Sequence, residues 1–254
     1  MKMFLISIVM MALSFQHLNA QKLQVLTEVW APYNFIENDK PVGLSTELVK
    51  AVLQRANIDY ELKILPWKRA YLYALNQPNT LIFTITKTRA REKIFKWIGP
   101  IYPRKAYFYK LKNRTDIKVK NFEDLKKYHI GVLDGGNTQA SLIEKGFENN
   151  VNLFSVINAK QNILKLFKGR IDFTIGSDAK FIFQLKNSEF KFENLEKSIL
   201  LSDEYSYYLA ANINTPDDVV NKLQTALDQL ISEGVRDDIW RKHMGNIKFE
   251  WSQE

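Results

Sequence analysis

The chain has 254 residues, 36 Lys and Arg against 28 Asp and Glu, and a formal net charge of +8. It has no cysteine and only three histidines, His17, His129 and His243. That excludes disulfides, thiolate metal sites, a cysteine nucleophile and a lipidated N-terminal cysteine, and leaves little for a zinc site or a Ser-His-Asp triad.

The first twenty residues read as a removable leader. Lys2 gives a short basic start, residues 4–15 are almost wholly apolar, and residues 16–20 are a polar stretch ending in Ala20. This is the layout of a secretory signal peptide, too short for a membrane span, with cleavage expected after Ala20. No later apolar run approaches eighteen residues, so the product is expected to be exported, soluble and untethered. Its 46% hydrophobic and 25% charged residues are ordinary for a globular protein.

From residue 21, strand and helix patterns alternate. Residues 23–29 alternate in polarity as a strand does. Leu44, Leu48, Val49, Val52, Leu53 and Ala56 follow at helical spacing, with Ser45 or Thr46 available as a cap. A second strand spans 60–65, and Pro66 suits the first turn of a helix carrying Trp67, Ala70, Tyr71 and Ala74. The unbroken apolar run 81–85 fits a parallel strand covered on both faces. Residues 110–121 are polar and cation-rich, and read as a linker or exposed turn.

The alternation then restarts. A short helix is expected at 122–127, a strand at 129–133, a Gly135-Gly136 turn and a helix at 138–145. After them come a strand at 153–156, a helix at 161–167, a strand at 171–175 and a helix at 179–185. The last strand is placed at 207–211. A long amphipathic helix then starts at Thr215-Pro216-Asp217-Asp218, carries Val219, Leu223, Leu227, Leu230 and Ile231, and stops at Gly234. A shorter helix holds Ile239 and Trp240. Two series of βα units separated by a polar segment favour two α/β lobes of mostly parallel sheet flanked by helices.

Particular residues carry a resemblance. Thr86-Lys87-Thr88-Arg89-Ala90-Arg91-Glu92 followed by Phe95-Lys96-Trp97-Ile98-Gly99-Pro100-Ile101-Tyr102 resembles a hallmark of extracellular solute-binding proteins of family 3, the polar-amino-acid-binding components of ABC importers. Further similarities stand in the family's order. They are Trp30-Ala31-Pro32-Tyr33 with Gly43 to Leu48, Phe122 to Lys126 through Ile130-Gly131-Val132 to Gly135-Gly136-Asn137-Thr138, Gly169-Arg170-Ile171-Asp172, and Leu227 to Gly245.

The resemblance implies a type II periplasmic-binding-protein fold, two lobes joined by a two-strand hinge. Residues 21–108 and 208–254 would form one lobe and 109–207 the other. It also implies a role without catalysis or cofactor: holding a small carboxylate-bearing ligand, most simply an amino acid, in the interlobe cleft. An ABC permease or a sensor would read the closed form.

By the T-x-x-R register from Thr88, the carboxylate anchor would be Arg91, since a guanidinium grips a carboxylate with two parallel bonds as lysine cannot. Arg89 is the lesser candidate, and both could instead be surface cations pairing with Glu92. Thr86 and Thr84 would add contacts at the strand end. Trp30 and Trp67 follow strands where the family presents rings, and Tyr33, Trp97 and Tyr102 are wall or core. From the second lobe, Asn137 or Thr138 would meet the carboxylate at a helix start. Asp178 would hold the ammonium, with Ser177 and Glu28 as competitors.

The lysines are scattered and give no concentrated basic stripe, so nucleic acid is not an expected partner; a monomer is expected. A dehydratase-like enzyme on the same scaffold, or a sensory module without a free ligand, are the alternatives.

Overall fold

A computed structural model describes residues 22–135, 137–157 and 160–249; the expected leader, Gly136 and the side chain of Asn137 lie outside the described residues. The chain opens with β1 (Leu23–Thr27), a hairpin of β2 (Phe35–Glu37) and β3 (Lys40–Val42), α1 (Leu44–Arg55), β4 (Tyr60–Ile64), α2 (Trp67–Asn76) and β5 (Thr80–Thr86). The long strand β6 (Phe95–Leu111) leads through a 3-10 turn (Glu123–Lys127) to β7 (Ile130–Leu133), α3 (Asn137–Glu144), β8 (Leu153–Val156), α4 (Lys160–Phe167), β9 (Phe173–Gly176) and α5 (Asp178–Leu185). A second 3-10 turn (Phe192–Asn194) precedes the equally long β10 (Leu195–Asn212), α6 (Asp217–Ser232) and α7 (Val235–Met244).

The fold is two-lobed α/β. Eight strands run in the order β4-β1-β5-β10-β6-β9-β7-β8. β4, β1 and β5 are mutually parallel, as are β9, β7 and β8. Between the two triplets stand β6 and β10, antiparallel to each other and to their outer neighbours. β10 meets β5 only at 207–211 and β6 meets β9 only at 107–109. The stretch between is two strands wide, and its register breaks at several points between Lys197 and Tyr205.

The inner strands of each triplet, β1 and β5 in the first and β7 and β9 in the second, are largely buried on both faces, whereas the edge strand β4 keeps Glu61 and Lys63 exposed. On the first, Val25, Leu81 and Phe83 pack under α1, α6 and α7, while Leu26, Ile82 and Ile85 pack under α2. On the second, Ile130 and Phe173, with Phe108 of the neighbouring β6, pack with Leu125, Leu142 and Phe147, whereas Tyr109 of β6 and Ile171, just before β9, pack with α4 and α5. Ala179 and Ile182 of α5 also reach into the first core, and Phe183 meets Phe35 at 5.0 Å between ring centroids.

Several expectations are corrected. The turn Asn38-Asp39, both with positive φ, closes a hairpin that the sequence pattern did not suggest. The segment 110–121 is not wholly linker: Lys110 and Leu111 end β6, and Lys110 is buried with its ammonium 2.9 Å from Glu196. The last strand begins at Leu195, twelve residues before the alternation becomes visible. α6 starts with Pro216 in the capping position, and Lys96 binds both the Thr215 carbonyl and Asp217.

Neither Ser45 nor Thr46 caps α1. Both are buried inside the first turn with hydroxyls that find no partner among the described residues, and Gly43 occupies the capping position without a side chain. The free N–H groups of the helix start are taken by the preceding loop instead: Leu44 N donates to Pro32 O at 3.0 Å and Ser45 N to Tyr33 O at 3.0 Å. This requires close backbone approach. A Cβ on Gly43, at φ +115°, would lie 2.6 Å from the carbonyl oxygens of Pro32 and Tyr33.

Gly43→Ala is therefore expected to cost roughly 3 kcal/mol. Gly135→Ala, also at positive φ but with nothing within 4 Å of its Cβ, should cost about 1 kcal/mol. Urea denaturation of the two variants checks this; equal losses would assign the effect to dihedral strain alone.

Candidate functional site

Because β1, β4 and β5 are parallel, their carboxyl ends emerge on one edge, which is where α/β sheets build clefts. The loop after β1 is fixed from below by Asn34, which has no solvent exposure. Its amide nitrogen donates to Glu28 O (3.3 Å) and its amide oxygen accepts from Thr84 Oγ1 (2.7 Å). Trp30 N and Asn34 O close the loop at 2.7 Å. Thr84 has φ +61°, a costly conformation for a β-branched residue. It is the extra residue of a bulge, since Ile85 pairs with Tyr208 and Phe83 with Leu209. The bulge turns its hydroxyl toward Asn34, so Thr84 serves the loop.

Past Thr86, the last residue of β5, a turn brings back Arg91. Its backbone N donates to Thr88 O at 2.9 Å. The guanidinium lies 5.3 Å from the Trp67 ring and 5.2 Å from the Tyr71 ring, both on α2. One nitrogen makes long bonds to the hydroxyl and carbonyl of Thr86, at 3.3 and 3.4 Å. Its other donors have no partner among the described residues. Arg89, two positions earlier, is exposed. Trp97 steadies the turn through Nε1 to Glu92 O at 3.0 Å and packs on Phe95 and Tyr208.

Trp30 is 50% exposed, and its indole N–H donates to the buried Tyr207 hydroxyl of β10 at 3.0 Å. The Arg104 guanidinium of β6 also reaches that hydroxyl. Tyr33, expected as wall or core, is core. It is 5% exposed, its ring lies 4.9 Å from Tyr207 and 6.1 Å from Tyr102, and burial pushes its phenol well up. Tyr102 is buried too. Glu28 is partly buried at the end of β1, desolvation raises its carboxyl above the usual range, and it forms no ion pair among the described residues.

On the second triplet, Thr138 stands in the first turn of α3. The loop before it is held by Gln139, whose amide oxygen accepts from Gly135 N (2.8 Å) while its nitrogen donates to Asn149 (2.9 Å). Ser177 caps α5, accepting from Lys180 N at 3.3 Å. Asp178 is occupied: it accepts from the Tyr109 hydroxyl (2.5 Å) and pairs with Lys197 (2.7 Å), so it points at β6 and β10. Lys180 sends its ammonium to Ile175 O at 3.0 Å, and burial lowers its pKa to about 8. Sequence reasoning missed Asn34, Arg104, Gln139, Lys180 and Tyr207. Only the last had a signal, as the first residue of an expected strand.

A cavity of about 30 Å³ lies among Tyr33, Ser177, Asp178, Ala179 and Trp240, well below the size of a usual ligand pocket. Among the described residues no group of three His, Asp or Glu side chains could hold a metal ion.

Comparison with known proteins agrees with this architecture. A sequence profile of the bacterial extracellular solute-binding proteins, family 3, matches residues 23–246. The amino-acid-binding protein AabA of Dichelobacter nodosus is 27% identical over 216 residues, 83% of this chain and 82% of that protein. Among solved structures, the probable amino-acid ABC transporter extracellular-binding protein ytmK of Bacillus subtilis superposes with a TM-score of 0.72 at 20% identity, covering 89% of this chain and 99% of that one. The arginine-, lysine-, histidine-binding protein ArtJ of Geobacillus stearothermophilus superposes with a TM-score of 0.62 at 23% identity, covering 90% and 97%.

Asn34→Ala is expected to cost about 2 kcal/mol, because it strips partners from the Glu28 carbonyl and the buried Thr84 hydroxyl. Adding Thr84→Gly, which relieves the positive φ, should recover part of that loss in the double variant. Denaturant titration of both tests the arrangement; an Asn34→Ala variant as stable as the parent would refute it.

Proposed function

Since the chain belongs to the bacterial extracellular solute-binding proteins of family 3, we propose that it captures a small carboxylate-bearing solute, an amino acid or close relative, between two lobes, and that a partner recognises the closed, loaded form. Residues 21–108 and 208–254 make one lobe in this reading and residues 109–207 the other. The central stretch of sheet only two strands wide supports that division, with α5 as the element that touches both. The amino-acid-binding names of AabA and ArtJ support the ligand class.

The observation that carries the reading is the state of Arg91. A guanidinium over two rings, with most of its donors without a partner among the described residues, stands at the edge where three parallel strands end. Stacking fixes the plane of the fork, so little freedom is lost when a carboxylate docks. Trp67 and Trp30 wall the ligand, Thr86 lies beside its carboxylate, and Glu28 takes its ammonium. On closure Asn137 and Thr138 at the start of α3 meet the ligand from the second lobe. Contacts present only in the closed form shift the population toward it, and no bond is made or broken.

The chain works as an exported monomer without a cofactor in this account, released after residue 20 and read by an ABC permease or a membrane sensor. No described helix is long and apolar enough to cross a membrane.

Calorimetric titration of the purified chain with a panel of amino acids tests the proposal. At least one should bind. Arg91→Ala should weaken that binding by about 3 kcal/mol, roughly a hundredfold in Kd, and Arg91→Lys nearly as much, while thermal unfolding shifts little. Undiminished affinity in Arg91→Ala would remove the anchor, and a panel with no binder would remove the ligand class.

A further inference from the structure

We propose that the ligand carries a second acidic group, and that Lys180 on the first turn of α5 receives it, which makes acidic amino acids the preferred class. The inference rests on the reading of the cleft given above and deepens it.

It begins from what became of the acid near that place. Asp178, the residue that would hold an ammonium, is neutralised by Lys197 and bonded to Tyr109, facing β6 and β10. Ser177 is engaged as the helix cap. Neither leaves a free carboxylate at the carboxyl end of β9. What stands there is a cation.

Lys180 reaches back past Gly176, where its Cδ would lie only 3.0 Å from an added Cβ, to the carbonyl of Ile175. That carbonyl is open because the β7–β9 ladder pairs only Ile130 with Phe173 and Gly131 with Thr174. One residue later the strands no longer pair, and the ammonium takes the place of a strand N–H. Lys180 therefore ends where the second parallel triplet opens, on the strand edge that corresponds to the one carrying Arg91 on the first triplet. Phe181, 5.3 Å from the ammonium, gives it an aromatic face and no counter-charge.

No carboxylate pairs with Lys180 among the described residues, and its single recorded bond uses one of three donors. Burial without an anion disfavours the charged form, which is why the pKa falls to about 8. An incoming carboxylate supplies the missing partner. A lysine, as a compact point charge, suits a distal carboxylate, while the planar fork of Arg91 suits the carboxylate held bidentately. With Arg104 adding a cation on β6, Arg91, Lys180 and Arg104 stand against Glu28 and Asp134, the carboxylates at these ends without an ion pair among the described residues, and the balance of charge favours an anionic ligand over a cationic one.

The test is calorimetric titration of the wild-type chain, Lys180→Gln and Lys180→Arg with L-glutamate, L-aspartate, L-glutamine, L-asparagine and L-arginine. The expected result is that at least one acidic amino acid binds tenfold or more tighter than its amide. Lys180→Gln should erase that ratio while the amide's own affinity holds, and Lys180→Arg should retain most of it. An amide or arginine binding the wild type as tightly as the acids overturns the inference and leaves the amino-acid reading standing. Lys180→Gln weakening acid and amide equally also overturns it, since that marks a lysine that only caps a carbonyl. If Lys180→Gln does not fold, the wild-type ratio of acid to amide decides alone. If no amino acid binds, the general reading fails and this one with it.

Discussion

Two strands, Phe95–Leu111 and Leu195–Asn212, hold the molecule together, because every route from one end of the sheet to the other runs along them. At their ends they are flanked by parallel strands and helices and belong to packed cores. In the middle they have only each other, and there the register slips repeatedly. A ladder missing bonds at several points bends more easily than a regular one, whereas the layered ends resist deformation. The softest part of the sheet is thus placed between its two most rigid parts. Asp178 then ties the start of α5 to Tyr109 of one strand and Lys197 of the other, so a change of angle between the pair is passed directly to a helix that also touches the first core.

The cleft edge of the first lobe shows how such a site is kept rigid. Loops at strand ends cannot use sheet hydrogen bonds, and this one is held by a buried asparagine that serves a backbone carbonyl and a strained threonine together. The strain at Thr84 is local and is offset by that bond and by the packing beneath it. Gly43 solves the same problem from the other side, letting the loop carbonyls satisfy the helix start so that loop and helix form one unit. The exposed face of Trp30 is consequently presented from a frame with few soft degrees of freedom.

Much of this was legible in the sequence. Periodicity located all seven α-helices of the described residues, including α5 behind Ser177, and the short apolar strands, because those depend on local pattern and on burial. The long strands were not legible. β10 begins with Leu195-Glu196-Lys197-Ser198, a polar stretch whose strand character comes from pairing with β6 rather than from its own alternation, and Lys110 is hidden in β6 only because Glu196 lies opposite. The T-x-x-R spacing pointed to Arg91, whose guanidinium lies over the rings of Trp67 and Tyr71, a placement that the spacing alone does not give. Tyr33 and Thr84 were harder: only the loop and bulge geometry shows that Tyr33 packs in the core and that the Thr84 hydroxyl goes to Asn34. Lys180 is one lysine among many in the sequence, and its lack of a carboxylate partner among the described residues is visible only in three dimensions.

The bond from the Trp30 indole to the Tyr207 hydroxyl has an optical side. An indole's emission depends on what its N–H donates to and on how much water surrounds the ring, and Trp30 joins a half-exposed ring to a fixed donor contact on β10. Any rearrangement that covers the ring or stretches that contact changes the colour and yield of its fluorescence, so the protein carries an intrinsic spectroscopic gauge of its own conformation at the point where loop and long strand meet.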